Sequence, residues 1–175
     1  MHRNRIAVLA AGVAMVLGTA SPALAASSGT TVITFTVSAG TLDITVPAGP
    51  VSIGTVTPST SAQTIGPTPL GNVEVLDNRG GTTGWTATVS GTNFVGPSTV
   101  PIGAASYTTP TATVTGTATV ANTSVNPLTN TASNVQVATA VSGINTATWN
   151  PTITIVIPAN TLAGTYTSTL THSVS

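Results

Sequence analysis

The stretch VEVLDNRGGTTGWTATVSG, from residue 73 to residue 91, gathers side chains that are scarce in the rest of the chain. Only 3% of the 175 residues are charged and 3% are aromatic, yet Glu74, Asp77, Arg79 and Trp85 stand close together here. Such a cluster is typical either of a binding site or of a hairpin whose turn is held by its own polar side chains.

The local pattern favours the hairpin. Apolar and polar residues alternate from Trp85 to Ser90, and this period of two is typical of strands. Asn78 and Gly80–Gly81 are turn-forming residues, and an Asp side chain can hydrogen-bond the turn backbone. We predict two strands joined by a glycine-rich turn, with Asp77 tied to Arg79 and Trp85 packed inward. A calcium ion held by the oxygens of Asp77 and Asn78 is the alternative that this stretch leaves open.

The same alternation recurs along the chain after residue 26, as in TVITFTVS (31–38) and PTITIVIP (151–158). Apolar residues make up 41% of the chain, and no segment has the 3.6-residue period of an amphipathic helix. We predict an all-β fold, an antiparallel β-sandwich of immunoglobulin-like or related Greek-key topology. The expected strands are 31–37, 41–46, 51–56, 71–77, 84–91, 104–108, 112–120, 134–141, 151–157 and 164–174.

Residues 1–25 have the pattern of a secretory signal peptide. Arg3 and Arg5 precede an apolar run too short to span a bilayer, and small residues lead up to Ala25. We expect cleavage after Ala25, an exported domain of residues 26–175 and no membrane span after the signal is removed. The chain has no cysteine, so the exported domain is expected to fold without disulfides.

Charge and composition disfavour several classes of function. After residue 25 the chain has three acidic residues, Asp43, Glu74 and Asp77, and one basic residue, Arg79. Its formal charge is therefore −2 with His172 neutral. One cation cannot neutralise a run of phosphates, which argues against nucleic-acid binding. With one histidine and three carboxylates, we predict no catalytic residues, no metal site and no cofactor.

The few aromatic residues suggest where a ligand would bind. Trp149 precedes Asn150–Pro151, where a strand is expected to begin, and is predicted to be partly exposed. Tyr166 and His172 lie on the expected terminal strand. These three are the candidate ligand-binding residues, whereas Trp85 shares its strand face with apolar neighbours and is expected in the core.

Two short motifs resemble those of the WxL-domain family of bacterial surface proteins. The first is Asp77-Asn78-Arg79-Gly80 followed by Gly84-Trp85-Thr86-Ala87, against the family pattern D-x-R-G…G-W-x-L. The second is the terminal set Tyr166, Leu170, His172 and Val174, against Y-x-x-x-L-x-W-x-L. Ala87 and Val174 replace the leucines, and His172 replaces the second tryptophan. The composition, rich in Ala, Thr, Val and Gly, resembles that of an actinobacterial member.

The resemblance implies a secreted protein at the cell surface that binds the cell wall non-covalently through peptidoglycan. It also implies a structural role for Asp77, Arg79, Gly80, Gly84 and Trp85. We therefore expect a non-enzymatic cell-wall-binding protein whose partners are peptidoglycan or other surface proteins. The alternative is a structural or adhesive surface subunit that assembles through its β-strands.

Overall fold

The structure, a computed structural model, describes residues 27–175, so the predicted signal peptide lies outside the described residues. The chain divides at Thr36–Val37 into two units, and all of the regular secondary structure described belongs to the second, Val37–Ser175. In the described part of the first unit no strand forms. The predicted strand 31–37 is therefore wrong for the isolated chain.

Among residues 27–175, eleven strands and one short 3₁₀ turn make up the fold. The strands are β1 (Leu42–Thr45), β2 (Gln63–Pro69), β3 (Val73–Asp77), β4 (Trp85–Gly91), β5 (Phe94–Val95), β6 (Thr99–Val100), β7 (Ala105–Thr108), β8 (Thr113–Asn122), β9 (Ser133–Trp149), β10 (Thr152–Ile157) and β11 (Leu170–Val174). The 3₁₀ turn, Ile102–Ala104, precedes β7. No helix among the described residues is long and apolar enough to cross a membrane.

The larger sheet has six strands and is organised around β9, its longest strand. One edge of β9 pairs with β8 along most of its length. The opposite edge is shared, because Ser133–Ala138 pairs with β4 and Asn145–Trp149 pairs with β3. Between these halves the backbone φ is positive at Ala140 and Gly143, so β9 bends there. The outer strands β1 and β11 approach each other, so the sheet nearly closes on itself.

A second sheet, in the order β2-β10-β7, supplies the other layer of the core, and β5 and β6 form a separate small ladder. All strand pairs recorded in the ladders are antiparallel. The interior is filled mainly by small and β-branched side chains together with a few large ones. Its largest fully buried side chains include Trp85, Tyr107, Leu128, Val73, Val75, Val89 and Val135.

The predicted all-β antiparallel fold is confirmed, but several local predictions are wrong. Residues 51–56, predicted as a strand, are irregular. Strand β2 was missed because Gly66, Pro67 and Pro69 disfavour strands, and an edge strand tolerates them. Residues 142–145, SGIN, have the composition of a turn and lie between two predicted strands, yet they continue β9 through its bend. Sequence alternation reports which face is apolar, whereas strand formation also needs a partner.

Candidate functional site

The turn between β3 and β4 is held by a network of side-chain hydrogen bonds centred on Asp77. Arg79 Nε donates to Asp77 Oδ1 at 2.9 Å, and Arg79 Nη2 donates to Asp77 Oδ2 at 3.0 Å. The same Nη2 also donates to the carbonyl oxygens of Thr83 and Gly84, each at 3.1 Å. The two ends of the turn are thus joined through one guanidinium group.

The network continues into the core through Asn145. Trp85 Nε1 donates to Asn145 Oδ1 at 3.0 Å, and Asn145 Nδ2 donates to Asp77 Oδ2 at 3.3 Å. Asn145 and Asp77 are also Cα partners in the β3–β9 ladder. The network therefore lies where β9 changes partner from β4 to β3, and it links all three strands. Sequence reasoning missed Asn145, because its position next to Asp77 depends on pairing between distant segments.

The carboxylate of Asp77, at the centre of this network, is buried, and its negative charge is paired with the positive charge of Arg79. Asp77 is 1% exposed, and burial of an unpaired carboxylate is costly. The hydrogen bonds from Arg79 lower the pKa of Asp77, although burial opposes this effect. The same interaction raises the pKa of Arg79. Because the oxygens of Asp77 are taken up by Arg79 and Asn145, this geometry favours a structural turn over a calcium site.

Glycine is favoured at positions 84 and 80 of the predicted structural motif for different physical reasons. A Cβ on Gly84 would collide with the carbonyl oxygen of Ala138, so only glycine allows this approach of β4 to β9. Gly80 has a φ of +69°, a left-handed conformation that favours glycine, but the space around it is open.

Trp149 is buried, with 2% of its surface exposed, so the predicted partial exposure is wrong. It ends β9 opposite Val73, and its side chain joins the core. Its indole Nε1 is buried without a hydrogen-bond partner among the described residues. A buried ring cannot stack on a ligand at the surface, so Trp149 is a core residue in this structure.

His172 lies on β11 and reaches into the interior between the two sheets. Its Nε2 is 2.9 Å from the hydroxyl of Tyr107 on β7, and the two ring centroids are 5.6 Å apart. Burial lowers the pKa of His172 and raises that of Tyr107, so a neutral imidazole and a protonated phenol are favoured. Of the three candidate ligand-binding residues, His172 thus contacts Tyr107 inside the fold, and Trp149 belongs to the same hydrophobic core as Tyr107.

Tyr166 lies apart from them, on the wall of an open groove. The groove has a volume of about 540 Å³, and residues 50–59 and 161–167 are among those that line it. Its floor is formed by core residues, among them Phe94, Val100 and Ile155. The Tyr166 hydroxyl is within 2.7 Å of the Ser98 hydroxyl and donates to the carbonyl oxygen of Leu162 at 2.9 Å. These bonds hold Tyr166 in the wall.

A second surface feature is a patch of hydroxyl groups on the outer face of β4 and β11. Val89, Ala87 and their partners on β11 face the interior, so the alternate residues face outward. Across the ladder Ser90 pairs with Thr171, and Thr88 pairs with Ser173, whose hydroxyl groups are 3.2 Å apart. We call this set the hydroxyl patch: Thr86, Thr88, Ser90, Thr171 and Ser173.

The described residues offer hydrogen-bonding and apolar surface and few groups that hold protons or metals. Within residues 27–175 no group of three or more His, Cys, Asp or Glu side chains lies close enough to hold a metal ion. Comparison of the chain with protein-family models, with curated proteins and with solved structures found no match.

Proposed function

We propose that this chain is a secreted, non-enzymatic surface protein that attaches non-covalently to the bacterial cell wall. The observation that carries the proposal is the pairing of β4 with β11. These strands hold the two segments that resemble the WxL motifs, although they lie far apart in sequence. Their adjacency supports the interpretation that the two motifs work as one unit.

The replacements within the two motifs are themselves neighbours. Ala87 and Val174, which stand where the family pattern has leucine, are Cα partners across the β4–β11 ladder. His172, which stands where the pattern has tryptophan, is opposite Val89 and bonds to Tyr107. All of these positions face the interior. The replacements therefore alter core packing and leave the outer face of the two strands available for binding.

The outer face has the chemistry that an uncharged polymer requires. The hydroxyl patch presents donors and acceptors without charge, and its spacing follows the regular spacing of paired strands. Glycan hydroxyls and peptide amides of peptidoglycan can exchange hydrogen bonds with such a surface. Because the patch has no charged group, we expect attachment that depends little on ionic strength.

A pull-down with isolated cell walls tests this proposal. The exported chain should sediment with the walls at both low and high salt. Thr88→Val combined with Ser173→Ala removes two facing hydroxyls and should reduce the bound fraction several-fold. Thr115→Val combined with Thr117→Ala, at exposed positions of β8, is the matched control and should bind normally. Complete recovery of the unaltered chain in the supernatant at low salt would overturn the proposal.

A second function, assembly into a structural or adhesive surface layer, is favoured by a different observation. The described part of the chain before β1 exposes Val32, Ile33, Phe35 and Val37, with exposed fractions between 83% and 91%. Four large apolar side chains this close together rarely remain in water in a soluble monomer. Light scattering of the exported chain at increasing concentration tests assembly, and a strict monomer would contradict it.

A further inference from the structure

The segment 31–37, TVITFTV, has the sequence of a strand and none of its interactions. Ile33, Phe35 and Val37 alternate with Thr34 and Thr36, so an extended segment has one apolar and one hydroxyl side. The described residues of the first unit, 27–36, make no backbone hydrogen bond with one another. Within the described part of its own unit, this segment therefore has no strand partner for its peptide groups.

Residues 51–57, which line the groove, also lack backbone partners among the described residues. Residues 51–57, VSIGTVT, contain Val51, Ile53 and Val56, and residues 51–56 were expected to form a strand, yet no strand forms there. Within the described chain they make no backbone–backbone hydrogen bond, although the Ile53 carbonyl accepts a bond from Thr68 Oγ1. Ile53 and Val56 line the groove, and its floor exposes part of the apolar core.

We propose that segment 31–37 of one copy enters the groove of a second copy as an added β-strand, and this inference rests on the second proposed function, assembly. Ile33, Phe35 and Val37 would fill the groove from its open side, and the backbone would pair with residues 51–57. Main-chain bonds give such strand addition its affinity, and alternate side chains seated in pockets give it specificity. The occupant is a segment of this chain because its pattern and its unpaired backbone match what the groove lacks.

Charge is compatible with this arrangement. The segment has no charged residue, and no Asp, Glu, Lys or Arg is among the residues that line the groove. Neither partner therefore has to lose the hydration of an ion when they meet. An added strand of seven residues is about 23 Å long at roughly 3.3 Å per residue, which is typical of strands in globular proteins.

The first experiment measures the mass of the exported chain by light scattering over a hundredfold range of concentration. We expect mass to rise with concentration for the unaltered chain and to stay monomeric for Phe35→Asp. Thr34→Asp is the matched control, because it places the same charge on the opposite side of the segment, and it should still assemble. Phe35 is 90% exposed, so its replacement should leave the circular dichroism spectrum unchanged.

The second experiment uses a fluorescent peptide of residues 30–38 as the probe. It should bind the Phe35→Asp chain saturably by fluorescence anisotropy, because the groove of that variant is intact. The same peptide with Phe35→Asp should bind at least tenfold more weakly. Adding Val56→Asp to the wall of the groove should weaken binding of the unaltered peptide by a similar factor.

Three results would overturn the inference, and each has a separate meaning. A Phe35→Asp chain that still assembles would show that assembly uses another surface, so the second proposed function would stand without this mechanism. A monomeric unaltered chain that binds no peptide would contradict both. A monomeric unaltered chain whose amides at residues 31–37 are protected from hydrogen exchange would show that the segment occupies the groove of its own copy.

Discussion

The hydroxyl of Tyr107 and Nε2 of His172 are 2.9 Å apart, and their bond joins β7 of the three-stranded sheet to β11 of the six-stranded sheet. A polar contact between two sheets is held only while both layers keep their spacing.

Replacing Tyr107 with phenylalanine should lower the free energy of unfolding by about 1–3 kcal/mol, because His172 then lacks its partner in the interior. Urea denaturation measures the change. Tyr166→Phe is the control, since Tyr166 is only half-buried and water can replace its lost bonds. Equal losses in the two variants would contradict a special role for the contact between the sheets.

The stability of the fold should fall in mildly acidic solution because of His172. Burial lowers its pKa in the folded chain below the usual 6.5, so the unfolded chain binds a proton more readily. This contribution to stability is complete above pH 6.5 and is lost as pH falls through the folded pKa. The melting temperature measured from pH 8 to pH 5 should decline, and His172→Gln should flatten the profile.

A second acid-dependent loss should occur at lower pH and depend on Asp77. Its folded pKa lies below the unfolded value of 3.8, so the stabilisation is present above that value and is lost as pH falls through the folded pKa. Asp77→Asn should remove this step while leaving the step due to His172. The chain has only three Asp and Glu residues, so the effect is easily assigned. A profile below pH 4 that is unchanged in Asp77→Asn would refute the assignment.

Removing the guanidinium of Arg79 should destabilise the fold by about 1–3 kcal/mol, because a buried carboxylate and two carbonyl oxygens lose their donor. Thermal unfolding of Arg79→Ala measures the loss. Arg79→Lys should recover part of it, since an ammonium group keeps the charge without the two-pronged geometry. An unchanged melting temperature for Arg79→Ala would show that the network has no structural role.

Gly84→Ala should cost about 3 kcal/mol, because the new methyl group would collide with the carbonyl of Ala138 and separate β4 from β9. Gly81→Ala is the matched control three residues earlier. The nearest atom to a Cβ at Gly81 is 4.0 Å away, so this change should be close to neutral. If both variants unfold at the same temperature as the unaltered chain, the close approach of Gly84 to Ala138 does not contribute to stability.

The sequence was sufficient for properties that depend on neighbouring residues. Alternation predicted the β class, and the Asn-Gly-rich turn next to Asp77 and Arg79 predicted which two side chains meet. It was insufficient where a distant segment decides the outcome. Asn145 becomes a partner of Asp77 only through the β3–β9 register, and Trp149 is buried in a core built from residues of both sheets.

Arg79 also determines where proteases that cut after basic residues can cleave the exported domain. Residues 27–175 contain no lysine and no other arginine, so an enzyme that cuts after basic residues has one peptide bond to attack, between Arg79 and Gly80. That bond lies in the turn whose arginine is held by Asp77 and two carbonyl oxygens. Such a protease must bind the side chain of Arg79, which is already hydrogen-bonded within the fold. We therefore expect the exported domain to resist trypsin-like digestion as long as this turn is intact.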